Sequence, residues 1–423
     1  MMKKTILIVG TYDTKSDELR FIEQIIVGQG GATLTMDVSV LHNADLPADV
    51  SKHAVAAAAN SSIEAAIGLN DENGAMQIMS RGASVLAAQL YQNAQVDGVI
   101  ILGGTMGTDL ALDVCLALPL GVPKYIVSTV SFSPMLPPDR IASDVQMILW
   151  AGGLYGLNSI CKASLSQAAG AVLGAARSTQ HPDPNKPMIG MTSFGKATTR
   201  FMVTLKPALE ERGFEVAVFH ATGMGGRAFE NLIAQGRFSC VLDLATQEVG
   251  NHIFGSDLSA GAERLTNAGR TGTPQIVAPG CHDLVDVIGW KKIDNQWDGY
   301  ETHAHNRLLT SVVITNEDRK KVAKSHADRL ACSIGKTAFI MPLGGCHEWD
   351  RAGAPLHNPN GIVAFAKAIK PLLGDHIEWA ELDAHINDPE FCDIVLTIFD
   401  RWFPNGSASV QQPQSPTNQN CPA

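Results

Sequence analysis

The chain has 423 residues, 45% of them hydrophobic and 17% charged, which is enough apolar material for more than one core and predicts two domains. A formal net charge of −10, a pI near 5.7 and the lack of any basic run exclude a general nucleic-acid surface, so an anionic ligand must be held by local amides or a metal. No apolar segment reaches membrane-spanning length, and the short run after Met1-Met2-Lys3-Lys4 is broken by Gly10-Thr11-Tyr12-Asp13, so it reads as a buried first strand and not a signal peptide. Eight scattered cysteines read as reduced thiols in a cytoplasm, without a disulfide framework.

Residues 4–10, 32–38, 97–102 and 123–129 read as buried strands, with helical patterns at 16–28, 72–94 and 107–118 between them; this alternation predicts a parallel sheet. The first strand runs into Gly10-Thr11-Tyr12-Asp13-Thr14-Lys15 and the third into Gly103-Gly104-Thr105-Met106-Gly107-Thr108. Glycines allow close approach of backbone to a phosphate, a helix N-terminus favours its charge, and Thr105 and Thr108 add hydroxyls. In an open parallel sheet both turns fall at the carboxyl edge, where nucleotides bind. Neither is a Walker A loop and no GxGxxG is present, so ordinary strand-to-helix connections remain the alternative. In the nucleotide reading Lys15 neutralises phosphate, Asp13 holds Mg2+ or a ribose hydroxyl, and Thr14 caps the following helix. Arg81-Gly82 and Ser128-Thr129 would complete the pocket, although Ser128-Thr129 equally suits a turn cap.

A long apolar helix from about Leu157 to Arg177 leads into the polar run 178–187, which reads as a linker between a domain at 1–180 and one at 187–403. The strand pattern restarts at 188–191 and continues near 214–219, 238–243, 274–278, 337–341 and 377–381. Residues 404–423, rich in Ser, Gln, Asn and Pro, read as a disordered tail. In His220-Ala221-Thr222-Gly223-Met224-Gly225-Gly226-Arg227, the glycine amides, a hydroxyl and a guanidinium converge before a helix, which suggests that His220, Thr222, Gly223, Gly225, Gly226 and Arg227 bind a small anionic substrate. The alternative is a plain helix start with Arg227 pairing to Glu230. Cys281-His282-Asp283, His303-Ala304-His305 and Cys346-His347-Glu348 offer ligands suited to Zn2+, Fe2+ or another divalent transition metal, one ligand coming from each turn. Cys281, His282, Cys346 and His347 are the proposed ligands, with Glu348 or Asp350 as acid/base; no zinc-finger spacing is present, and solvent-facing or hydrogen-bonded histidines are the alternative. Asp388 before Pro389 suits a helix N-cap, and His385 nearby is left open.

The two Gly/Thr turns, Leu118-Pro119-Leu120-Gly121-Val122-Pro123-Lys124 with Ser128-Thr129-Val130, Phe219 to Ala228, Met191-Thr192-Ser193-Phe194-Gly195 and His385-Ile386-Asn387-Asp388-Pro389 together resemble the UPF0261 family of Tm-1-like ATP-binding proteins, over roughly residues 5–400. The resemblance implies two Rossmann-like α/β domains with mainly parallel sheets flanked by helices, ATP with Mg2+ in the first, and a homodimer. Where the family usually reads Pro-Gly-Ala-Leu-Asp this chain has Pro279-Gly280-Cys281-His282-Asp283, and its Gly345-Cys346-His347-Glu348-Trp349-Asp350 departs from Gly-x-Ser-x-x-Asp. Three readings follow: an ATP-binding protein with an unknown small-molecule ligand in the second domain, a metal-dependent hydrolase or lyase built on the Cys-His turns, or a non-enzymatic nucleotide-sensing interaction protein.

Overall fold

A computed structural model describes residues 3–181, 183 and 185–409, which fall into two compact units, Met1–Pro182 and Asp183–Ala423. In the first unit, β1 (Thr5–Gly10), β2 (Ala32–Asp37), β3 (Gly98–Gly103), β4 (Lys124–Ser128) and β5 (Val145–Leu149) form one parallel sheet in the order β2-β1-β3-β4-β5. The apolar run of β1 serves two cores at once, because successive side chains of a strand point to opposite faces. Leu7 and Val9 pack with Met79, Ala83 and Leu110 from the helices Glu72–Gln92 and Thr105–Ala117. Ile6 and Ile8 pack with Leu19, Ile22, Leu165 and Val172 from the helices Ser16–Gly28 and Ser159–Ser178. Asp71 and Asn158 cap two of these helices by accepting backbone N–H groups of their first turns. β5 was not legible in the sequence: it is an edge strand, and none of its residues is buried.

The second unit contains β6 (Met188–Ser193), β7 (Glu215–His220), β8 (Cys240–Asp243) and β9 (Gln275–Val277). They are followed by β10 (Leu284–Ile288), β11 (Glu301–Ala304) and β12 (Leu309–Val313), and finally by β13 (Thr337–Pro342) and β14 (Ile377–Leu382). Six of these pair in parallel in the order β14-β13-β9-β8-β6-β7. The expectation of a restarted parallel sheet omits β10-β12-β11, a separate antiparallel sheet inserted between β9 and β13. Within each large sheet the second strand lies on one side of the first and the third on the other. A crevice therefore opens at the carboxyl ends of β1 and β3, and likewise of β6 and β8.

Residues Gly406–Ser409, at the start of the segment read as a tail, form a 3-10 turn in which the Ser407 N–H donates to the Arg212 carbonyl (2.9 Å). The rest of that segment, 410–423, lies outside the described residues. Every cysteine among the described residues is a free thiol. No helix among them is long and apolar enough to cross a membrane.

Candidate functional site

The loops after β1 and β3 meet where the chain order reverses. Thr11, Asp13, Thr14, Lys15, Gly103, Gly104, Thr105 and Gly107 line one cavity of about 330 Å3, together with Glu72, Met76 and Tyr155. A second cavity of about 260 Å3 shares Met76, Thr105 and Met106 with the first and is otherwise walled by Leu112, Val130, Met135 and Leu136 among others. Gly103 has no room for a side chain, since a Cβ would run into the Gly107 backbone; at Gly104 the nearest neighbour of a Cβ is Thr129 Oγ1 at 3.9 Å, so that residue faces open space. The helix Thr105–Ala117 begins here with no side-chain cap, leaving the first-turn amides without intrahelical acceptors. Asp13 accepts from the Leu41 and His42 amides through Oδ2, while its Oδ1 is buried without a partner. Among the described residues the Lys15 ammonium reaches only the Thr14 hydroxyl (3.4 Å).

Several residues assigned to this pocket do other work. Thr108 and Ser128 are buried behind the turn, their hydroxyls 2.6 Å apart, and Thr108 Oγ1 also donates to the Gly104 carbonyl (2.6 Å). Gly10 packs under Leu19, and its carbonyl accepts from the Val38 N–H. Arg81 is exposed on the helix Glu72–Gln92, nine residues beyond the cavity-lining Glu72 and so about 13.5 Å along its axis, and Gly82 is where that helix touches the Val55 carbonyl. Neither of these last two lines the cavity.

The glycine turn after β7 is filled from inside the protein. Its amides do point at an anion, but the anion is the Glu248 carboxylate: Glu248 Oε1 accepts from Gly223 N (2.6 Å) and Gly226 N (3.2 Å). Oε2 of Glu248 takes the Arg264 Nε–H (2.7 Å), and Arg264 also pairs with both oxygens of Asp243. Glu230, expected opposite Arg227, instead accepts from Leu265 and Asn267 amides and lies 3.4 Å from Arg264. Arg227 donates to the Ser259 carbonyl (2.8 Å), and Thr222 touches His220 (3.3 Å). Gly225 has no space for a Cβ beside the His220 carbonyl. Burial raises the Glu248 carboxyl, an effect that Arg264 opposes.

The two Cys-His turns do come together, with Cys281 N donating to the Cys346 carbonyl (3.1 Å). All four residues are fully buried. His282 Nδ1 lies 2.9 Å from the Pro279 carbonyl, which can only accept, so this nitrogen carries the hydrogen; its ring packs on Phe365 with centroids 4.1 Å apart. His347 Nε2 pairs with Asp283 (3.1 Å), which also meets Arg319 Nη2 (3.0 Å). Burial pushes both thiols well above their ordinary range, so they are protonated. Burial alone would raise Asp283, but His347 and Arg319 hold its carboxyl well below the usual carboxylate range. His282 Nε2 and His347 Nδ1 are buried without partners, yet among the described residues no group of three or more His, Cys, Asp or Glu side chains is arranged to hold a metal ion. Asp350 is spent on the Cys346 amide (2.7 Å) and on His385 Nε2 (3.0 Å). Glu348 pairs with Arg200 (3.2 Å) and Arg351 (3.1 Å), and Asp388 sits at the helix N-cap but bonds the His385 amide and Arg351.

The open site of this domain lies nearby. A cavity of about 430 Å3 at the carboxyl edge is lined by His220 at the end of β7, by Phe194, Gly195 and Lys196 after β6, and by His303, His305 and Asn306 from the β11–β12 hairpin, with Trp349 and Leu309. Trp349 touches both hairpin histidines, ring centroids 4.6 Å from His303 and 4.5 Å from His305. Desolvation lowers all three histidines, His305 to about 4, so they are neutral at physiological pH. The sequence signal for two of these lining residues was the i, i+2 spacing of His303 and His305, which sends both side chains to one face of an extended backbone. Lys196 and Trp349 carried no such signal.

These features define a class: a two-domain protein built on parallel α/β sheets, each with a ligand-sized cavity at its carboxyl edge. Residues 4–181 match the N-terminal domain, and residues 186–403 the C-terminal domain, of the Uncharacterised protein family (UPF0261), so the chain belongs to the UPF0261 family. It is 50% identical over 401 residues to a UPF0261 protein of Brucella melitensis, covering 95% of this chain and 96% of the relative. A UPF0261 protein of Clostridium tetani is 35% identical over 393 residues, 92% of this chain and 96% of its own. The ToMV susceptible protein tm-1(GCR26) of Solanum lycopersicum is 29% identical over 438 residues, covering 97% of this chain and 57% of the tomato protein.

Proposed function

We propose that the first domain binds ATP with Mg2+ and that the second binds a separate small molecule. The observation that carries the nucleotide reading is the single cavity shared by the loops after β1 and β3 at the point where strand order reverses. Phosphates would lie at Gly104 and the uncapped start of the helix Thr105–Ala117, with Lys15 as counter-charge. Asp13 and Glu72 both line this cavity, and their carboxylates would hold a hydrated Mg2+, which would supply charge neutralisation for a phosphate group. The adjoining apolar cavity, with Met76, Leu112 and Met135, suits a purine ring. For the second domain, the support is the aromatic and histidine-lined cavity at its own carboxyl edge.

Calorimetry with Mg-ATP tests the first part. Gly104→Asp introduces a carboxylate where the wall is open, so it should fold like the wild type and lose ATP affinity by at least about tenfold, the effect of roughly 1.4 kcal/mol. Unchanged affinity in a folded variant would overturn the placement.

A further inference from the structure

We propose that the second-domain cavity is a proton-transfer site: His305 takes a proton from a small molecule that becomes an anion on losing it, Ser311 and Asp286 relay a proton into the core, and Lys196 meets the charge left behind. The proposal rests on the reading of this cavity as a ligand site and adds its chemistry. His305 lines the cavity while its Nε2 lies 2.7 Å from Ser311 Oγ on β12. Ser311, fully buried, donates its hydroxyl hydrogen to Asp286 Oδ1 on β10 at 2.6 Å. The register that pairs Asp286 with Ser311 across the two strands makes this contact a property of the sheet. Asp286 is itself fixed from behind, where Asn251 Nδ2 donates to Oδ2 (3.2 Å) and Asn251 Oδ1 accepts the Asp286 amide (2.7 Å).

The geometry assigns the hydrogens. With Asp286 ionised, the Ser311 hydroxyl hydrogen goes to the carboxylate, so Ser311 Oγ can only accept from His305; the hydrogen is on Nε2 and Nδ1 keeps its lone pair. In the forward step the Nδ1 lone pair forms an N–H bond as the substrate's bond to that hydrogen breaks and its electron pair stays on the substrate. Nε2 releases its proton to Ser311 Oγ, and Ser311 passes its own proton to Asp286. His305 ends neutral with the hydrogen on Nδ1, Asp286 ends as a carboxylic acid, and one negative charge has moved from the core to the cavity. The path avoids an imidazolium, which the cavity disfavours: burial and the neighbouring His303, His347 and His220 hold His305 down at about 4. Asp286 suits the role of proton store, because burial, with Glu248 adding to it and the Ser311 and Asn251 bonds opposing, raises it to about 7. Among the described residues no carboxylate lines the cavity, and Lys196 brings an ammonium to it.

Histidine-labelled full-length protein, free of ligand, tests the relay by nitrogen-15 NMR from about pH 5 to 9, a range spanning the ordinary histidine value. His305 should stay neutral and pass from the Nε2–H to the Nδ1–H tautomer as pH falls through about 7. Asp286→Asn should abolish the transition, Ser311→Ala should uncouple it, and Ser311→Thr, which keeps the hydroxyl, should retain it. An imidazolium forming with an ordinary midpoint, or a tautomer constant across the range, would overturn the relay and leave the ligand reading standing. Inorganic phosphate, as a probe of the anion, should shift the His305 and His220 signals, with affinity reduced about fivefold in Lys196→Met, the order of one exposed charge contact. Absence of any phosphate-dependent shift at these two histidines with the tautomer change intact would overturn the ligand reading instead.

Discussion

A methyl group at Gly226 would occupy space held by the Glu248 carboxylate. Helix propensity alone would favour alanine over glycine here by roughly 0.5–1 kcal/mol, whereas overpacking costs about 1–3 kcal/mol; the second effect should win. Gly226→Ala is therefore expected to destabilise the protein by about 1–2 kcal/mol in denaturant titration. The loss should shrink in a Glu248→Ala background, since the colliding group is then gone; additive losses would show that the clash is not the cause. Gly103 and Gly104 make the same contrast in the first domain, where adjacent glycines serve opposite needs: one is enclosed by the Gly107 backbone, the other opens onto the cavity.

The helix Met224–Ala234 shows how an element's end can be misread from its composition. Its unsatisfied amides and positive dipole end predicted an external anion, and the physics of that prediction is sound. The anion was supplied by the helix Gln247–Ile253, which carries Glu248, and held in turn by Arg264 and Asp243. Removing one member of such a buried charged group leaves the others uncompensated, so Glu248→Ala should cost about 3–5 kcal/mol. Added acetate, a carboxylate small enough for the vacated space, should raise the thermal midpoint of the variant more than that of the wild type. Equal shifts in both proteins would show that the amides do not select a carboxylate.

Across the whole molecule, buried titratable groups oppose one another in their effect on stability. Burial lowers His326 to about 3 and His282 to about 4. Below about pH 6.5, the ordinary histidine value, the unfolded chain binds protons that these rings refuse, so their contribution to stability falls as pH falls toward those values. Burial raises Glu230 and Asp286 to about 7, and these carboxyls act in the reverse sense: the folded state holds protons that the unfolded chain has released. The wild type should thus show a shallow acid limb. His326 bonds Val322 and Thr246 from a neutral ring (both 2.9 Å), and glutamine is of comparable length. His326→Gln should lose less stability than the wild type between about pH 6.5 and 4.5. Denaturation midpoints at the two pH values measure this, and an equal fall in both proteins would remove His326 from the account.

The sequence by itself determined the family, the parallel α/β character of both domains and the turns that line the first cavity, because buried strands and glycine-rich strand ends are local features written in consecutive residues. Thr11 to Lys15 and Gly103 to Gly107 could be placed at a carboxyl edge without coordinates, since strand period and connection rules suffice. Arg81 could not, because its distance from the cavity depends on where a helix crosses its neighbour at Gly82. Only the tertiary structure decided which anion fills the Gly223–Gly226 turn, 22 to 25 residues from Glu248 in sequence. It also decided that Cys281 and Cys346 meet as protonated thiols, and that His305, Ser311 and Asp286 form a chain across an antiparallel sheet of weak local signal. The physical reason is common to these cases: a residue type specifies what it can bond to, and burial and long-range packing specify what it finds there.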